Sequence, residues 1–219
     1  MASRCATRSY LRMCSSDRPW KGKPSVTMLI NGTMLAFLKL TKDYAVSPDA
    51  RAFMINGTRG HAVLEGAGDG DEFSEIEQKL EDENSTGITD LIETELGINI
   101  LTDNKVSGSY KIAKCLGFYT EEVETDEVYK SGKRKGQRKT DKILKRDDAH
   151  VDRHEYELQC NRYRMMWEAK TGKKIHELRI QAIVRDGGTF IARSRGVFRN
   201  VYYFKINILP DDYVRTYFE

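Results

Sequence analysis

Two short apolar runs separated by a single glycine constrain this chain more than any other feature. Ile88-Thr-Asp-Leu-Ile-Glu93 and Ile98-Asn-Ile-Leu-Thr102 flank Gly97, and strand-like runs joined through a turn glycine read as a β-hairpin. Each run carries an acid: Asp90 lies inside the first and Asp103 closes the second. The hairpin therefore predicts two carboxylates on neighbouring strands. Alternation along the strand puts Asp103 and Lys105 on one face and Asn104 on the other. Two acids and a lysine on one face suit a hard divalent cation and a phosphate, because Mg2+ takes one or two carboxylates, keeps several waters and completes its shell from substrate phosphate. A lysine beside it would orient or deprotonate a water and offset developing charge. A solvated surface hairpin can carry the same triplet, so the spacing alone leaves both readings open.

Other elements follow from periodicity and turn residues. Thr27 to Leu40 and Pro48 to Asn56 predict helices, and Gly57-Thr58-Arg-Gly-His61-Ala-Val-Leu64-Glu65 predicts a helix start capped by Thr58. Glu75 to Leu80, Ile88 to Glu93 and Ile98 to Lys105 predict three successive strands, followed by a short helix from Ser109 to Leu116. A longer helix is expected from Val151 to Lys170, stopped near Gly172. Ile175 to Arg185 alternates as a strand and turns at Asp186-Gly-Gly188. Tyr202 to Leu209 predicts a last strand, and Pro210-Asp-Asp opens a last short helix.

Composition narrows the class. With 219 residues, 39% hydrophobic and 32% charged, the chain reads as a soluble globular protein. No run is apolar and long enough to span a bilayer. Residues 1–25 read as a flexible N-terminus, with a basic transit segment as the alternative, and 26–219 as one domain with a basic insertion at about 120–150. Cys5, Cys14, Cys115 and Cys160 are scattered, which supplies neither a zinc signature nor a disulfide framework and favours a reducing, intracellular compartment. A net charge of +3 is too small to argue for nucleic acid, but its distribution is uneven. Gly68 to Glu83 is acidic, whereas Lys130, Lys133, Arg134, Lys135, Arg138, Lys139, Lys142, Lys145 and Arg146 form a dense basic run. That run is either a mobile solvated insertion or an arm that tracks phosphates.

The order of these residues then becomes specific. His61 on a helix, Asp90 on a strand, Asp103-Asn104-Lys105 on the next strand and Gln159-Cys-Asn-Arg-Tyr163 on a later helix occur in that sequence. This series resembles the RecB-like branch of the PD-(D/E)XK nuclease superfamily, which includes CRISPR-adaptation nucleases, the mitochondrial genome maintenance exonuclease and phage exonucleases. Gly57-Thr58, His61 and Leu64-Glu65 are similar to the branch's histidine helix, and Gly87-Ile-Thr-Asp90 to its first acidic strand. Arg185-Asp186-Gly187 looks like the end of the strand after the glutamine helix. The resemblance covers roughly His61 to the C-terminus, interrupted by the basic insertion.

It implies an α/β, restriction-endonuclease-like core, with a mixed central sheet flanked by helices. It also implies a Mg2+- or Mn2+-dependent deoxyribonuclease, most naturally an exonuclease on single-stranded DNA or free ends in replication, repair or recombination. Asp90, Asp103, the Asn104 carbonyl and His61 would hold the metal, His61 favouring Mn2+ alongside Mg2+, and Lys105 would handle the water. Gln159 and Tyr163, at i and i+4, would line the cleft and touch the DNA backbone, although a helix face packing on the sheet accounts for them too. His61 is open in the same way, as a ligand or a capped structural histidine. The iron–sulfur members' cysteine pattern is absent, so a four-cysteine cluster is not expected. No phosphate-binding helicase loop occurs, so such an enzyme would work alone on open strands or with a helicase, recombinase or single-strand-binding partner. The alternatives are a structure-specific or nicking endonuclease and, from another class, a non-catalytic nucleic-acid-binding or assembly protein.

Overall fold

A computed structural model describes residues 6–15, 20, 22–68 and 73–219, with the side chains of His61 and Glu65 outside that description. Contacts divide the chain into two compact units. The first comprises Met1–Val106, His154–Gln181 and Tyr203–Glu219, the second Ser107–Arg153 and Ala182–Tyr202. A five-stranded sheet has the order β1-β2-β3-β6-β7: β1 Ser74–Glu81, β2 Thr86–Glu95, β3 Ile98–Ser107, β6 Glu177–Val184 and β7 Val201–Ile206. β1 to β3 form an antiparallel meander. The Asn99 carbonyl accepts from the His176 amide and the Ser107 carbonyl from the Arg185 amide, so β6 advances along β3 in the same direction. The architecture is α/β with a mixed central sheet and helices on it, compatible with a restriction-endonuclease-like core.

The hairpin at the centre of the sequence argument forms as expected. Leu96 and Gly97 both take positive φ, 50° and 78°, the geometry a two-residue hairpin turn needs. β3 is central, and Ile100, Leu101, Thr102 and Asp103 are buried in succession, as befits a strand covered on both faces. β6 alternates strictly, burying Leu178, Ile180, Ala182 and Val184.

Helix α6 (His154–Thr171) buries Tyr156, Leu158, Cys160, Tyr163, Met166 and Trp167 together with Gln159, Asn161, Arg162 and Arg164. Its buried polar groups are partnered, as burial requires. Arg162 pairs with Asp82 at 2.6 Å and Arg164 with Asp211, while the Asn161 amide donates to the Asn207 carbonyl at 2.8 Å. The Trp167 indole donates to Glu75 at 3.0 Å, tying α6 to the edge strand.

Three expectations are corrected. The helix foreseen over Thr27–Leu40 is two helices, α2 Val26–Ile30 and α3 Thr33–Thr41, divided at Gly32, whose φ of 97° no helix admits. Thr58 caps nothing: α4 runs unbroken from Pro48 to Gly68, and the Thr58 hydroxyl donates back to the Met54 carbonyl at 3.1 Å. The basic insertion is ordered as a hairpin of β4 (Phe118–Val128) and β5 (Arg138–Arg146) after α5 (Ser109–Cys115). An acidic strand faces a basic one there, with Glu121–Lys145, Glu122–Lys142, Glu124–Arg138 and Glu127–Lys139 pairs. Within residues 1–25, Arg8–Ser15 form α1, and the Tyr10 hydroxyl donates to the Pro48 carbonyl at 3.0 Å.

Candidate active site

The β2–β3 pairing runs from Glu95↔Ile98 to Leu91↔Thr102 and stops there. Asp90 and Asp103 are the next residues on each strand, so the two acids stand where the ladder ends. Asp90 uses the break: its Oδ2 accepts from the Asn104 backbone amide at 2.6 Å, a group that the ended ladder no longer engages. The sequence expectation of two carboxylates on neighbouring strands therefore holds in the fold.

Asp103 is 2% exposed. Lys105, two residues on and on the same face, places Nζ 2.6 Å from Asp103 Oδ2 and donates to Gln159 Oε1 at 3.0 Å. Gln159 closes the circuit: its Nε2 donates to Asp103 Oδ1 and to the Tyr163 hydroxyl, both at 3.1 Å. One amide thus grips both members of an ion pair, which a helix residue projecting straight onto the strand can do. The Lys105 ammonium also lies 5.8 Å from the centre of the Tyr156 ring.

Burial by itself would push the Lys105 ammonium toward neutrality. The Asp103 carboxylate, through charge and a hydrogen bond, outweighs that and holds Lys105 above the ordinary lysine range. Lys105 is therefore a fixed cation here. It can orient a water and offset negative charge, but it is not poised to take a proton. Burial, and then the nearby Asp103 charge, push the Tyr163 hydroxyl and the Cys160 thiol up, so both stay neutral.

Gln159 and Tyr163 are 8% and 4% exposed. They lie beneath Asp103 and Lys105, Gln159 bonded to both and Tyr163 to Gln159. Tyr163 also explains a glycine. A Cβ on Gly87 would meet the Tyr163 ring at 2.5 Å, so the strand carrying Asp90 can approach α6 only with glycine there. On the opposite face of β3 the Asn104 side chain accepts from Gln181 Nε2 at 3.1 Å. There too, α4 comes close to the strand, since a Cβ on Gly60 would meet Val106 Cγ2 at 2.8 Å. His61 follows Gly60 in α4; its side chain lies outside the described residues.

Among the described residues no group of three or more His, Cys, Asp or Glu side chains is placed to hold a metal. The donors present, two carboxylates and the Asn104 carbonyl, match what a hard divalent ion asks of a protein when water and phosphate supply the rest. The Arg185-Asp186-Gly187 turn lies in the second unit, where Asp186 accepts from the Ser109 amide and hydroxyl, each at 2.6 Å. In the hairpin, Arg138 and Lys139 lie opposite Glu124 and Glu127. Lys133, Arg134 and Lys135 are exposed at the tip with no ion-pair partner among the described residues. No helix among the described residues is long and apolar enough to cross a membrane.

The glutamine's double grip and the glycine's close approach were the functional details that spacing could not supply. Gly87 was visible only as part of a motif, and nothing local in the sequence names Tyr163 as its neighbour.

No family model matches this chain, and no curated protein does. Among solved structures it is similar to the crystal structure of SSO0001, with a TM-score of 0.44 and 13% identity over 95% of this chain and 79% of that one. It is also similar to a Eubacterium rectale protein named "Putative exonuclease", with a TM-score of 0.30 and 11% identity over 90% of this chain and 64% of that one.

Proposed function

We propose that this protein is a metal-dependent DNA nuclease, an exonuclease acting on single strands or free ends. One observation carries the reading: a buried, interlocked Asp103–Lys105–Gln159 cluster beside Asp90, where the central hairpin stops pairing. A buried ion pair is weak grounds for stability, because apolar packing of similar volume often does as well. Buried ionisable groups with strongly shifted protonation concentrate at functional sites. Asp90, Asp103 and the Asn104 carbonyl would hold Mg2+ or Mn2+, which supplies a polarised phosphoryl oxygen and a more acidic bound water.

Hydrolysis adds a water oxygen to phosphorus and breaks one P–O ester bond, leaving a hydroxyl on one nucleotide and a phosphate on its neighbour. Negative charge builds on the phosphoryl oxygens as this happens. Lys105, held cationic, offsets it in a partly buried setting where charge interactions are stronger than in water. Gln159 keeps the ammonium and the Asp103 carboxylate at a fixed separation, so little reorganisation accompanies the charge change. Tyr163 fixes Gln159 in turn. The preference for ends follows from the resemblance of the His61, Asp90, Asp103–Lys105 and Gln159–Tyr163 series to RecB-like nucleases.

The test is degradation of end-labelled linear and covalently closed circular single-stranded DNA, with Mg2+, with Mn2+ and with EDTA. Loss of the linear strand, survival of the circle and silence in EDTA are expected. Rapid cutting of the circle makes the enzyme an endonuclease. Full activity in EDTA overturns the metal assignment, and binding without cutting in any metal returns the site to a non-catalytic protein.

A further inference from the structure

The chain's positive charge is concentrated in its second unit. Ser107–Arg153 with Ala182–Tyr202 contain 16 Lys and Arg against 10 Asp and Glu, whereas the remaining residues contain 20 against 23. Cross-strand ion pairs neutralise much of the β4–β5 ladder. Part of the excess therefore belongs to a second cluster in this unit, built around Tyr110 on α5.

Tyr110 is 61% exposed. Lys114 Nζ lies 5.2 Å and the Arg195 guanidinium 5.8 Å from its ring centre. Arg185 is close by: one of its terminal nitrogens would lie 3.3 Å from a Cβ on Gly108. The acid at the base of the cluster is already engaged. Asp186 accepts from the Ser109 amide and hydroxyl, and the Ser109 hydroxyl in turn accepts from Arg195 at 2.9 Å. Hydrogen bonding from the Ser109 side chain holds the Asp186 carboxyl below its ordinary range. The arrangement fixes Arg195, which also pairs with Asp186 at 3.8 Å, beside an exposed tyrosine that has Lys114 near its ring and Arg185 next to Gly108.

We infer that Tyr110, Lys114, Arg185 and Arg195 form a holding site for single-stranded nucleic acid, in which a base stacks on the Tyr110 ring and the flanking phosphates lie against the three cations. Aromatic faces stack on any base, and cations track the backbone without reading sequence, so the site is sequence-tolerant. It rests on the reading of the substrate as nucleic acid and not on the metal chemistry.

The experiment measures binding alone, in the full chain carrying Asp103→Asn, with Lys105→Met as a second background. The probe is a fluorescent thymidine oligonucleotide, read by anisotropy across salt concentrations. Tyr110→Ala is expected to weaken binding about tenfold, within the range of one stacked base, while Tyr110→Phe restores it. Lys114→Gln is expected to flatten the log–log salt slope by about 0.7. On an oligonucleotide of abasic sites, Tyr110→Ala and its parent are expected to bind alike, which a merely structural tyrosine would not produce when binding to the thymidine strand changes. Unchanged thymidine binding in Tyr110→Ala, with circular dichroism intact, overturns the site, as does equal weakening on abasic and thymidine strands. Tyr110-dependent binding by a chain whose unmutated form never cuts keeps this site and refutes only the nuclease reading.

Discussion

The two units hold their charges in opposite ways. In the first, Asp103 and Lys105 are locked to each other and to Gln159 in a nearly dry setting. In the second, cations and acids of the β4–β5 hairpin meet in water, and a basic tip and the Tyr110 cluster remain open to solvent. A buried pair has one geometry and strong coupling, so each partner's loss is felt by the other. Exposed pairs are screened and mobile, and each contributes little. The first arrangement suits a charge that must be aimed at one bond. The second suits a surface that must follow a flexible polyanion.

The sharpest way to break this contrast is to remove the buried charges. Asp90→Asn and Asp103→Asn are expected to lower cleavage of single-stranded DNA by several orders of magnitude, measured as initial rates in Mg2+, while the hairpin pairs contribute nothing comparable. Lys105→Met leaves the Asp103 carboxylate buried without its cation, and a loss of ~3 kcal/mol in urea unfolding is expected. Added Mg2+ should then stabilise Lys105→Met more than the parent, because the ion no longer competes with an ammonium for Asp103. Equal stabilisation of both would place the metal elsewhere. Since Lys105 is held above the ordinary lysine range, its contribution is complete below that range and disappears only as pH rises through its folded value. No loss from this pair is expected between pH 6 and pH 9, roughly the span over which unperturbed lysine stays protonated.

A smaller effect is expected at Gly87. Ala there would drive a methyl into the Tyr163 ring, costing about 1–3 kcal/mol in thermal or urea unfolding and slowing cleavage through displacement of Gln159. Combining Gly87→Ala with Tyr163→Leu should recover part of the stability. No recovery would mean that the glycine answers to backbone conformation and not to the ring.

In the second unit, neutralising Lys133, Arg134 and Lys135 is expected to flatten the salt dependence of single-strand binding by roughly 0.7 log–log units per lost contact. Neutralising Arg138 and Lys139 should matter less, because Glu124 and Glu127 already face them. Equal effects would show that the ladder opens when DNA binds.

The smallest effect concerns pH. Hydrogen bonds from Arg179 and then Lys205 pull the Glu177 carboxyl down to about 2. A depressed carboxyl contributes fully above its unfolded value and loses that contribution as pH falls through the folded one. Glu177→Gln should therefore narrow the stability difference from the parent between about pH 4.5 and pH 2, read from urea midpoints. A constant difference down to pH 2 would mean that the contact is packing and not charge.

Some of this was written in short stretches of sequence. Ile88 to Lys105 carries a strand pattern, a turn glycine and a second strand pattern within one local segment, so the hairpin and the adjacency of Asp90 and Asp103 were legible. The same is true of β6, where alternate residues are buried, and of α6 up to Gly172. Local signals suffice where the deciding neighbours are nearby in the chain. They misled at Thr58, where the pull of a continuous α4 outweighed a good capping residue, and in the basic insertion, where both faces of the hairpin meet solvent and no apolar alternation marks the strands. There the register shows only in the complementarity of an acidic run with a basic one.

What the sequence determined by itself was a hairpin that brings two acids and a lysine to one end, together with a later helix bearing glutamine and tyrosine four residues apart. Tertiary structure alone decided what those side chains do. It made Gln159 the bridge between Asp103 and Lys105, set Tyr163 against Gly87, buried Trp167 and left Tyr110 exposed. The physical reason is that spacing fixes which way a side chain points along its own element. Burial, hydrogen-bond partners and protonation depend on residues that come from distant parts of the chain.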